Sequence, residues 1–338
     1  MWRTLLLGGL VLLTVVAFHL QRASAAPWSL AELGDKTPTK SILLIGGWEA
    51  DVPSASIDSF DPATNQLRPW NASLSTDESM MNGSPTLAAA LPEGGFLVHS
   101  CIGSWLWRFM ELRWTRDQFV QGKSSNLGRD ACAGAVVGPY FIRCDYSGLC
   151  ERYTISSDVW EGLEERMPSA VFHPSAVAYQ HALYIVGGET VGRHEPVPFL
   201  QRLDTRSWQW ERMADMRHGR ARTAAALLTS RNGTNGSLVV CGGAYQSTCE
   251  RYSFERDEWS PFAPMNGPRQ LHVLVGWQGS LYAIGGATVV PNPDDDYVDY
   301  DRKDDTAIER WEPESDEWRI LEGVRLPHMR AFFAAVVY

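Results

Sequence analysis

Four arginines stand a few residues before apolar, strand-like segments, and their side chains could bind a carboxylate. They are Arg129 before 133–137, Arg222 before 223–228, Arg269 before 270–275 and Arg330 before 331–337. A guanidinium group binds a carboxylate through two parallel hydrogen bonds, so a convergent set would favour an acidic ligand. The alternative is that each arginine pairs with a glutamate or aspartate of its own structural unit.

The cysteines have a spacing that favours disulfides rather than a metal site. The six cysteines are an even number, and two local pairs join the end of one predicted strand to the start of the next. Antiparallel neighbours lie about 5 Å apart, within disulfide range. The predicted pairs are Cys144 with Cys150 and Cys241 with Cys249. Cys101 and Cys132 remain for a third bridge, with buried free thiols as the alternative.

No pattern typical of a metal centre or a catalytic nucleophile stands out. After residue 25, the histidines at 99, 173, 181, 194, 218, 272 and 328 form no i, i+2 or i, i+4 pair, and no Gly-x-Ser-x-Gly motif occurs. The run from Asp294 to Asp305 holds seven carboxylates and could bind calcium, but it lacks the glycine and terminal glutamate of an EF-hand loop. We interpret it as a solvated acidic loop, and we expect neither a metal nor a cofactor.

The first 25 residues have the pattern of a secretory signal peptide. Arg3 precedes an apolar stretch over 5–18, and Ala23-Ser24-Ala25 fits a cleavage site. The alternative is an uncleaved signal anchor, although a bilayer span needs about 20 residues. No later apolar run is long enough to span a membrane. We therefore predict a signal peptide over 1–25, a linker over 26–40, and a secreted or luminal protein without membrane insertion after cleavage.

The net charge and the N-glycosylation motifs are consistent with a secreted or luminal protein. A net charge of −10 repels nucleic acid and anionic lipid, so neither is expected as a partner. Asn-x-Ser/Thr motifs mark Asn71, Asn232 and Asn235 as glycosylation candidates. A fourth motif, at Asn82, is followed by Pro85 and is therefore a poor acceptor.

A repeat organises the rest of the chain. An apolar strand ending in two glycines recurs over 42–47, 183–188, 238–243 and 281–286, while 96–101 and 140–144 keep the strand and lose the glycines. Each strand is followed by three apolar or aromatic residues at constant offsets of three and ten. These triplets are Ile57/Phe60/Leu67, Phe109/Leu112/Phe119, Cys150/Tyr153/Trp160, Leu200/Leu203/Trp210, Cys249/Tyr252/Trp259 and Ile308/Trp311/Trp318.

The repeat resembles that of the kelch family of β-propellers. The shared features are the paired glycines, the spaced tryptophans, a period of about 50 residues, and a Glu-Arg-aromatic motif. This motif occurs at 151–153, 250–252 and 309–311. Over 41–338 the resemblance implies an all-β, six-bladed propeller, because one four-stranded sheet cannot bury both its faces. We predict that 330–338 adds the innermost strand of blade one and closes the ring.

The resemblance also implies where a ligand would bind. In kelch propellers the segment before each inner strand faces the rim of the central channel, where the four arginines would converge. The loops after the glycine strands add Trp48, Arg193 and Tyr245. We predict a monomeric, non-catalytic binding protein that presents this rim to a protein or to an acidic glycan or peptide. The alternative is a carbohydrate-acting enzyme of the sialic acid mutarotase-like kelch type, with Glu189 and His99 as the nearest acid or base candidates.

Overall fold

A computed structural model describes residues 41–49, 52–54, 56–70, 86–91, 95–100, 111–115, 118–121, 133–229, 236–290, 301–304, 306–331 and 333–338. Regular secondary structure in these ranges is β-strand throughout, which confirms the all-β prediction. No helix in this part of the chain has the length and apolar character that crossing a bilayer requires. The predicted signal peptide and linker lie outside the described residues.

The strands up to residue 162 follow the apolar segments of the first three repeats. In chain order they are β1 (Ile42–Ile45), β2 (Trp48–Glu49), β3 (Val52–Pro53), β4 (Ile57–Asp61), β5 (Gln66–Pro69), β6 (Thr86–Ala90), β7 (Phe96–Ser100), β8 (Glu111–Thr115), β9 (Gln118–Gln121), β10 (Ala133–Val137), β11 (Tyr140–Cys144), β12 (Cys150–Thr154) and β13 (Val159–Gly162).

The strands after residue 162 continue the same pattern. They are β14 (Val171–Phe172), β15 (Ser175–Tyr179), β16 (Ala182–Val186), β17 (Glu189–Thr190), β18 (Leu200–Asp204), β19 (Gln209–Arg212), β20 (Ala224–Thr229), β21 (Gly236–Cys241), β22 (Cys249–Ser253), β23 (Glu258–Phe262), β24 (Val273–Trp277), β25 (Ser280–Ile284), β26 (Ala287–Val290), β27 (Asp301–Asp304), β28 (Ala307–Glu312), β29 (Glu317–Arg325), β30 (Arg330–Ala331) and β31 (Ala334–Val337).

Within the described ranges, six sheets contain four antiparallel strands each. We number them by position in the chain, with the strands of each sheet given from its inner to its outer edge. Sheet 1 is β31-β1-β4-β5, sheet 2 is β6-β7-β8-β9, sheet 3 is β10-β11-β12-β13, sheet 4 is β15-β16-β18-β19, sheet 5 is β20-β21-β22-β23 and sheet 6 is β24-β25-β28-β29. Sheets 2 and 3 keep four strands although their repeats lack the paired glycines.

Sheet 1 combines strands from opposite ends of the described chain. β31 pairs antiparallel with β1, so that Val337 lies opposite Ile42 and Ala334 lies opposite Ile45. Beyond this register, Ser41 and Tyr338 exchange both backbone hydrogen bonds, at 2.7 and 2.8 Å. The C-terminal segment therefore lies in the same sheet as the first described strand.

The hydrophobic core is divided into clusters that lie between neighbouring sheets. Between sheets 5 and 6, for example, Trp311 and Trp318 pack against Val239 and Cys249. Similar clusters join sheets 1 and 2, 2 and 3, 3 and 4, 4 and 5, and 6 and 1. Each sheet has two apolar faces, so each must pack on a neighbour at both sides.

The inner strands surround a common cavity. β31, β6, β10, β15, β20 and β24 each contact the next strand in that order, and β24 contacts β31. All six contribute residues to the wall of one cavity of about 230 Å³. The described residues all belong to one compact unit, Lys40–Tyr338. This is a β-propeller arrangement, with inner strands around a central channel.

Both predicted local disulfides are confirmed. Cys144 is bonded to Cys150 and Cys241 to Cys249. In each case the two residues are directly opposite on neighbouring antiparallel strands, which brings their Cα atoms to 4.1 and 4.2 Å. Cys101 and Cys132 lie outside the described residues, so a third bridge stays a prediction.

Candidate functional site

A belt of hydrogen-bonded backbone surrounds part of the channel mouth, where the inner strands begin. His173, Arg222 and Leu271 each stand two residues before an inner strand and have left-handed backbone, with φ of 49°, 57° and 57°. Arg222 donates its backbone N–H to the His173 carbonyl at 3.3 Å, and Leu271 donates to the Arg222 carbonyl at 2.9 Å. These bonds help to hold a conformation that is unfavourable for residues with a Cβ. The belt places His173 and Arg222 on the cavity wall.

A buried carboxylate lies behind this belt. Glu189 follows the paired glycines of sheet 4 and is 4% exposed. Its Oε1 lies 2.9 Å from His173 Nδ1, 3.3 Å from His194 Nδ1 and 3.6 Å from Arg222 Nη2. Burial alone would raise the Glu189 pKa, but the hydrogen bond from His173 and the charge of Arg222 outweigh it and lower that pKa. Glu189 is therefore a stable anion that holds its three neighbours in place.

Aromatic rings extend the site away from the channel. Phe172 pairs across β14 and β17 with Glu189 and stacks on Tyr146, with ring centroids 4.6 Å apart and planes inclined by 7°. The His194 ring lies 5.8 Å from Phe172. Tyr146 itself sits in the loop that the Cys144–Cys150 disulfide closes. We call Tyr146, Phe172, His173, Glu189, His194 and Arg222 the rim cluster.

Two of the arginines that the sequence placed at the rim are instead buried in ion pairs. Arg269 lies 2.7 Å from Glu309, with side chains 1% and 3% exposed. Arg330 lies 2.9 Å from Asp58 and is also buried. Both partners come from the same sheet as the arginine, which is the alternative considered for these residues. These arginines are buried because each stands four residues before its inner strand. At that position the side chain points between strands rather than into the channel.

Of the three predicted arginines that the structure describes, Arg222 reaches the channel mouth, because it stands only two residues before β20. The buried position in sheet 5 is taken by Arg220, whose guanidinium lies 3.1 Å from Glu250. Sequence reasoning missed Arg220. Aligning the repeats on their strand starts would have found it, since 220, 269 and 330 all precede an inner strand by four residues.

The other predicted site residues are dispersed. Arg193 is exposed next to His194, and Tyr245 is 49% exposed with φ of 62° in the loop after β21. Trp48 lies on β2, whose backbone pairs with β3 and β30. His99 is fully buried between sheets 2 and 3, 3.4 Å from Arg143 Nη1, and burial with the Arg143 charge lowers its pKa well below the usual range. His99 is therefore not placed to act at the channel mouth.

Several candidates lie outside the described residues. These are Arg129, the sequon asparagines Asn71, Asn232 and Asn235, and residues 294–300 and 305 of the acidic run. Asp301–Asp304 of that run form β27, paired with β26. In the described part of the chain, no three His, Cys, Asp or Glu side chains are grouped to hold a metal ion.

Comparison with known proteins gives related sequences and a related fold. No family model matches the chain. Kelch-like protein 38 of Rattus norvegicus is 26% identical over 181 residues, 54% of this chain and 28% of that protein. Kelch-like protein 40 of Xenopus laevis is 26% identical over 197 residues, which cover 56% of this chain and 30% of that protein. Beta-scruin of Limulus polyphemus is 29% identical over 185 residues, which cover 49% of this chain and 18% of that protein. The chain spans less than a third of the length of these relatives.

Among solved structures, YjhT superposes with a TM-score of 0.60 at 15% sequence identity, covering 75% of this chain and 87% of that one. At this sequence identity the similarity shows a related fold and nothing about function. The repeated glycine-tipped strands, the propeller arrangement and the kelch-named relatives together show that the chain is a kelch-repeat β-propeller.

Proposed function

We propose that this protein is a non-catalytic binding propeller that holds a protein partner on the rim cluster. The observation that carries the proposal is the grouping of stacked aromatic rings, two imidazoles and a guanidinium around one buried carboxylate at the channel mouth. Aromatic and arginine side chains on a rigid support are the usual anchors of protein interfaces. Arg193, next to His194, and Tyr245, in the loop after β21, are further exposed side chains that a partner could contact.

The rim is preorganised, which supports a binding role. The two disulfides close the loops that carry Tyr146 and Tyr245. The belt of backbone hydrogen bonds fixes His173 and Arg222. A surface that is ordered before binding loses less conformational entropy when a partner docks.

The platform beneath this rim is proposed to be a single ring of six blades. Support comes from the six four-stranded sheets, from the cyclic contacts of their inner strands, and from the apolar cluster that joins sheet 6 to sheet 1. In this account β31 closes the ring within sheet 1 and covers the edge of β1, so that sheet 1 has four strands like the other sheets.

We further propose that the protein works in an oxidising compartment, either secreted or in the secretory lumen. Two buried disulfides support this assignment, because cytosolic thiols are normally kept reduced. Expression with the native N-terminus should release a shortened, glycosylated chain into the medium. Retention of residues 1–25, or the absence of sugar at Asn71, Asn232 and Asn235, would contradict that part of the proposal.

The test of rim binding compares capture by four versions of the purified protein. Tyr146→Ala and His194→Ala remove rim side chains, and Val159→Ala removes an exposed side chain at the opposite end of sheet 3. Partners recovered by the wild type and by Val159→Ala should be depleted at least about tenfold with each rim variant. Equal recovery by all four would exclude the rim cluster as the binding surface.

A carbohydrate-acting enzyme is the second candidate, because Glu189 lies beside Arg222. A carboxylate next to a guanidinium could exchange a proton with an acidic sugar that the arginine holds. Anomer exchange of added sialic acid, followed by NMR, tests this directly. Acceleration by the wild type and its loss in Glu189→Gln would support the enzyme, whereas equal rates with and without protein would exclude it.

A further inference from the structure

The channel beyond the mouth is a well with small, apolar walls. Five inner strands each contribute an alanine to it, and the sixth contributes a leucine. These residues are Ala88, Ala133, Ala176, Ala224, Ala334 and Leu274. These six side chains leave open space near the axis and offer no hydrogen-bonding group. Ser175 and Thr223 also line the cavity, but their hydroxyls already donate to the Thr223 and Cys241 carbonyls. The well is therefore suited to an apolar group rather than to a polar one.

The edge of the well carries polar groups whose hydrogen-bonding capacity is unused. His272 lines the cavity and is 6% exposed, and both its ring nitrogens are buried without a hydrogen-bond partner. Arg222 lines the same cavity, and its Nε is likewise buried without a partner. Buried polar atoms are nearly always hydrogen-bonded in proteins, so these atoms are available to pair with a group bound in the cavity.

Two glycines leave the space that the His272 side chain occupies, and the fold does not require a histidine at this position. A Cβ atom at Gly242 would lie 2.9 Å from His272 Cε1, and one at Gly286 would lie 2.7 Å from His272 Cβ. The equivalent residue directly before β31 is Phe333, which is apolar. Before β20 it is Thr223, whose hydroxyl donates to the Cys241 carbonyl at 2.6 Å. Of these three equivalent residues, His272 is the one with unsatisfied polar atoms.

We propose that the channel mouth binds a small amphipathic carboxylate. Its carboxylate accepts hydrogen bonds from Arg222 Nε and from the neutral His272 ring, and its apolar chain fills the alanine-lined well. Glu189 lies 3.6 Å from Arg222 Nη2 and is also held by His173 and His194, so the Nε of Arg222 remains for the ligand. The site goes beyond the proposed protein-binding rim and shares Arg222 with it.

Calorimetric titration with straight-chain carboxylates from acetate to hexanoate tests the chemistry. Affinity should rise about fourfold per methylene as the chain enters the well. Hexylammonium, which also has six carbons but the opposite charge, should not bind. No heat with any carboxylate at millimolar concentration, or equal affinity for hexanoate and hexylammonium, would overturn the proposal.

Three variants test the location. His272→Phe copies the residue found before β31, and it should weaken hexanoate at least about tenfold through loss of a hydrogen bond to a charged group. Ala176→Leu should abolish binding by filling the well. His218→Phe, which changes an exposed histidine, should bind as the wild type does. Unchanged hexanoate affinity in a folded His272→Phe protein would overturn the site even if Ala176→Leu fails to fold.

The same proteins separate this site from the protein-binding rim. Tyr146→Ala should keep hexanoate affinity and lose the protein partner, and His272→Phe should do the reverse. Loss of hexanoate binding in Tyr146→Ala with unchanged melting would contradict a separate small-molecule site, whatever the result of partner capture.

Discussion

Arg269 and Glu309 form a buried ion pair, with a guanidinium nitrogen 2.7 Å from a carboxylate oxygen. The arginine comes from the segment before the inner strand of sheet 6, and the glutamate comes from the third strand of the same sheet. The pair thus ties the entrance of the innermost strand to the body of its sheet. Equivalent pairs are Arg220 with Glu250 and Arg330 with Asp58.

Removing one member of the Arg269–Glu309 pair should destabilise the folded protein. Arg269→Met leaves the Glu309 carboxylate buried without its cation, and we expect a loss of about 3–5 kcal/mol in the free energy of unfolding, measured by urea denaturation. Adding Glu309→Leu should recover much of this loss. Arg319→Met, at an exposed pair with Glu317, should cost less than about 1 kcal/mol. Equal effects at the two sites would contradict a buried pair.

The tryptophan anchors should support the contact between sheets. Trp318 is 5% exposed, and its Nε1 donates to the Ala263 carbonyl, just after sheet 5, at 2.9 Å. Trp318→Ala should lower the free energy of unfolding by about 3–5 kcal/mol, since it leaves a cavity between two sheets. The control is Ile320→Ala, at a side chain that is 47% exposed. Similar melting of both variants would show that Trp318 does not fill the interface.

The repeat pattern was sufficient to predict the strands, because the features behind it are local. A glycine pair ends a strand where positive φ is needed, as at Gly187 and Gly188 with φ of 66° and 104°. The disulfides were predictable for the same reason, since residues that flank a short loop between antiparallel strands lie opposite each other. These parts of the fold need no knowledge of distant contacts.

The residues of the rim cluster were harder to predict, because a shift of two residues along the chain decides whether an arginine is buried or faces the channel mouth. Arg222 faces the channel mouth and Arg220 is buried, although both precede the same strand. His173 and Glu189 meet through the pairing of β14 with β17, which are two-residue strands with no pattern of their own. No local signal in the sequence marks such a contact.

Acid should destabilise the protein partly through His272. Burial and the charge of Arg269 lower the His272 pKa well below 6.5, so the folded state resists a proton that the unfolded chain accepts. Stability therefore falls as pH drops below about 6.5, by at most about 1.4 kcal/mol per pH unit for this residue. Melting temperatures from pH 7 to 5 should fall less steeply in His272→Phe. An unchanged slope would mean that His272 is protonated in the folded protein.

The disulfide beside Tyr146 should stabilise its loop. Replacing Cys144 and Cys150 together by alanine should lower the free energy of unfolding by about 2 kcal/mol, as expected for a short closed loop. Thermal melting of the double variant gives the value. In the native protein, Cys144, Cys150, Cys241 and Cys249 should resist alkylation until a reductant is added. Labelling of these four without reductant would contradict both bridges.

Closure of the ring is the claim on which the channel, the rim and the well all depend. Ser41 and Tyr338 exchange two backbone hydrogen bonds, so cysteines at both positions are within bonding distance. The measurement is the intact mass, with alkylation, of the Ser41→Cys, Tyr338→Cys protein after mild oxidation. We predict one additional disulfide and a higher melting temperature; two free thiols in a folded monomer would contradict a ring closed by the C-terminal strand.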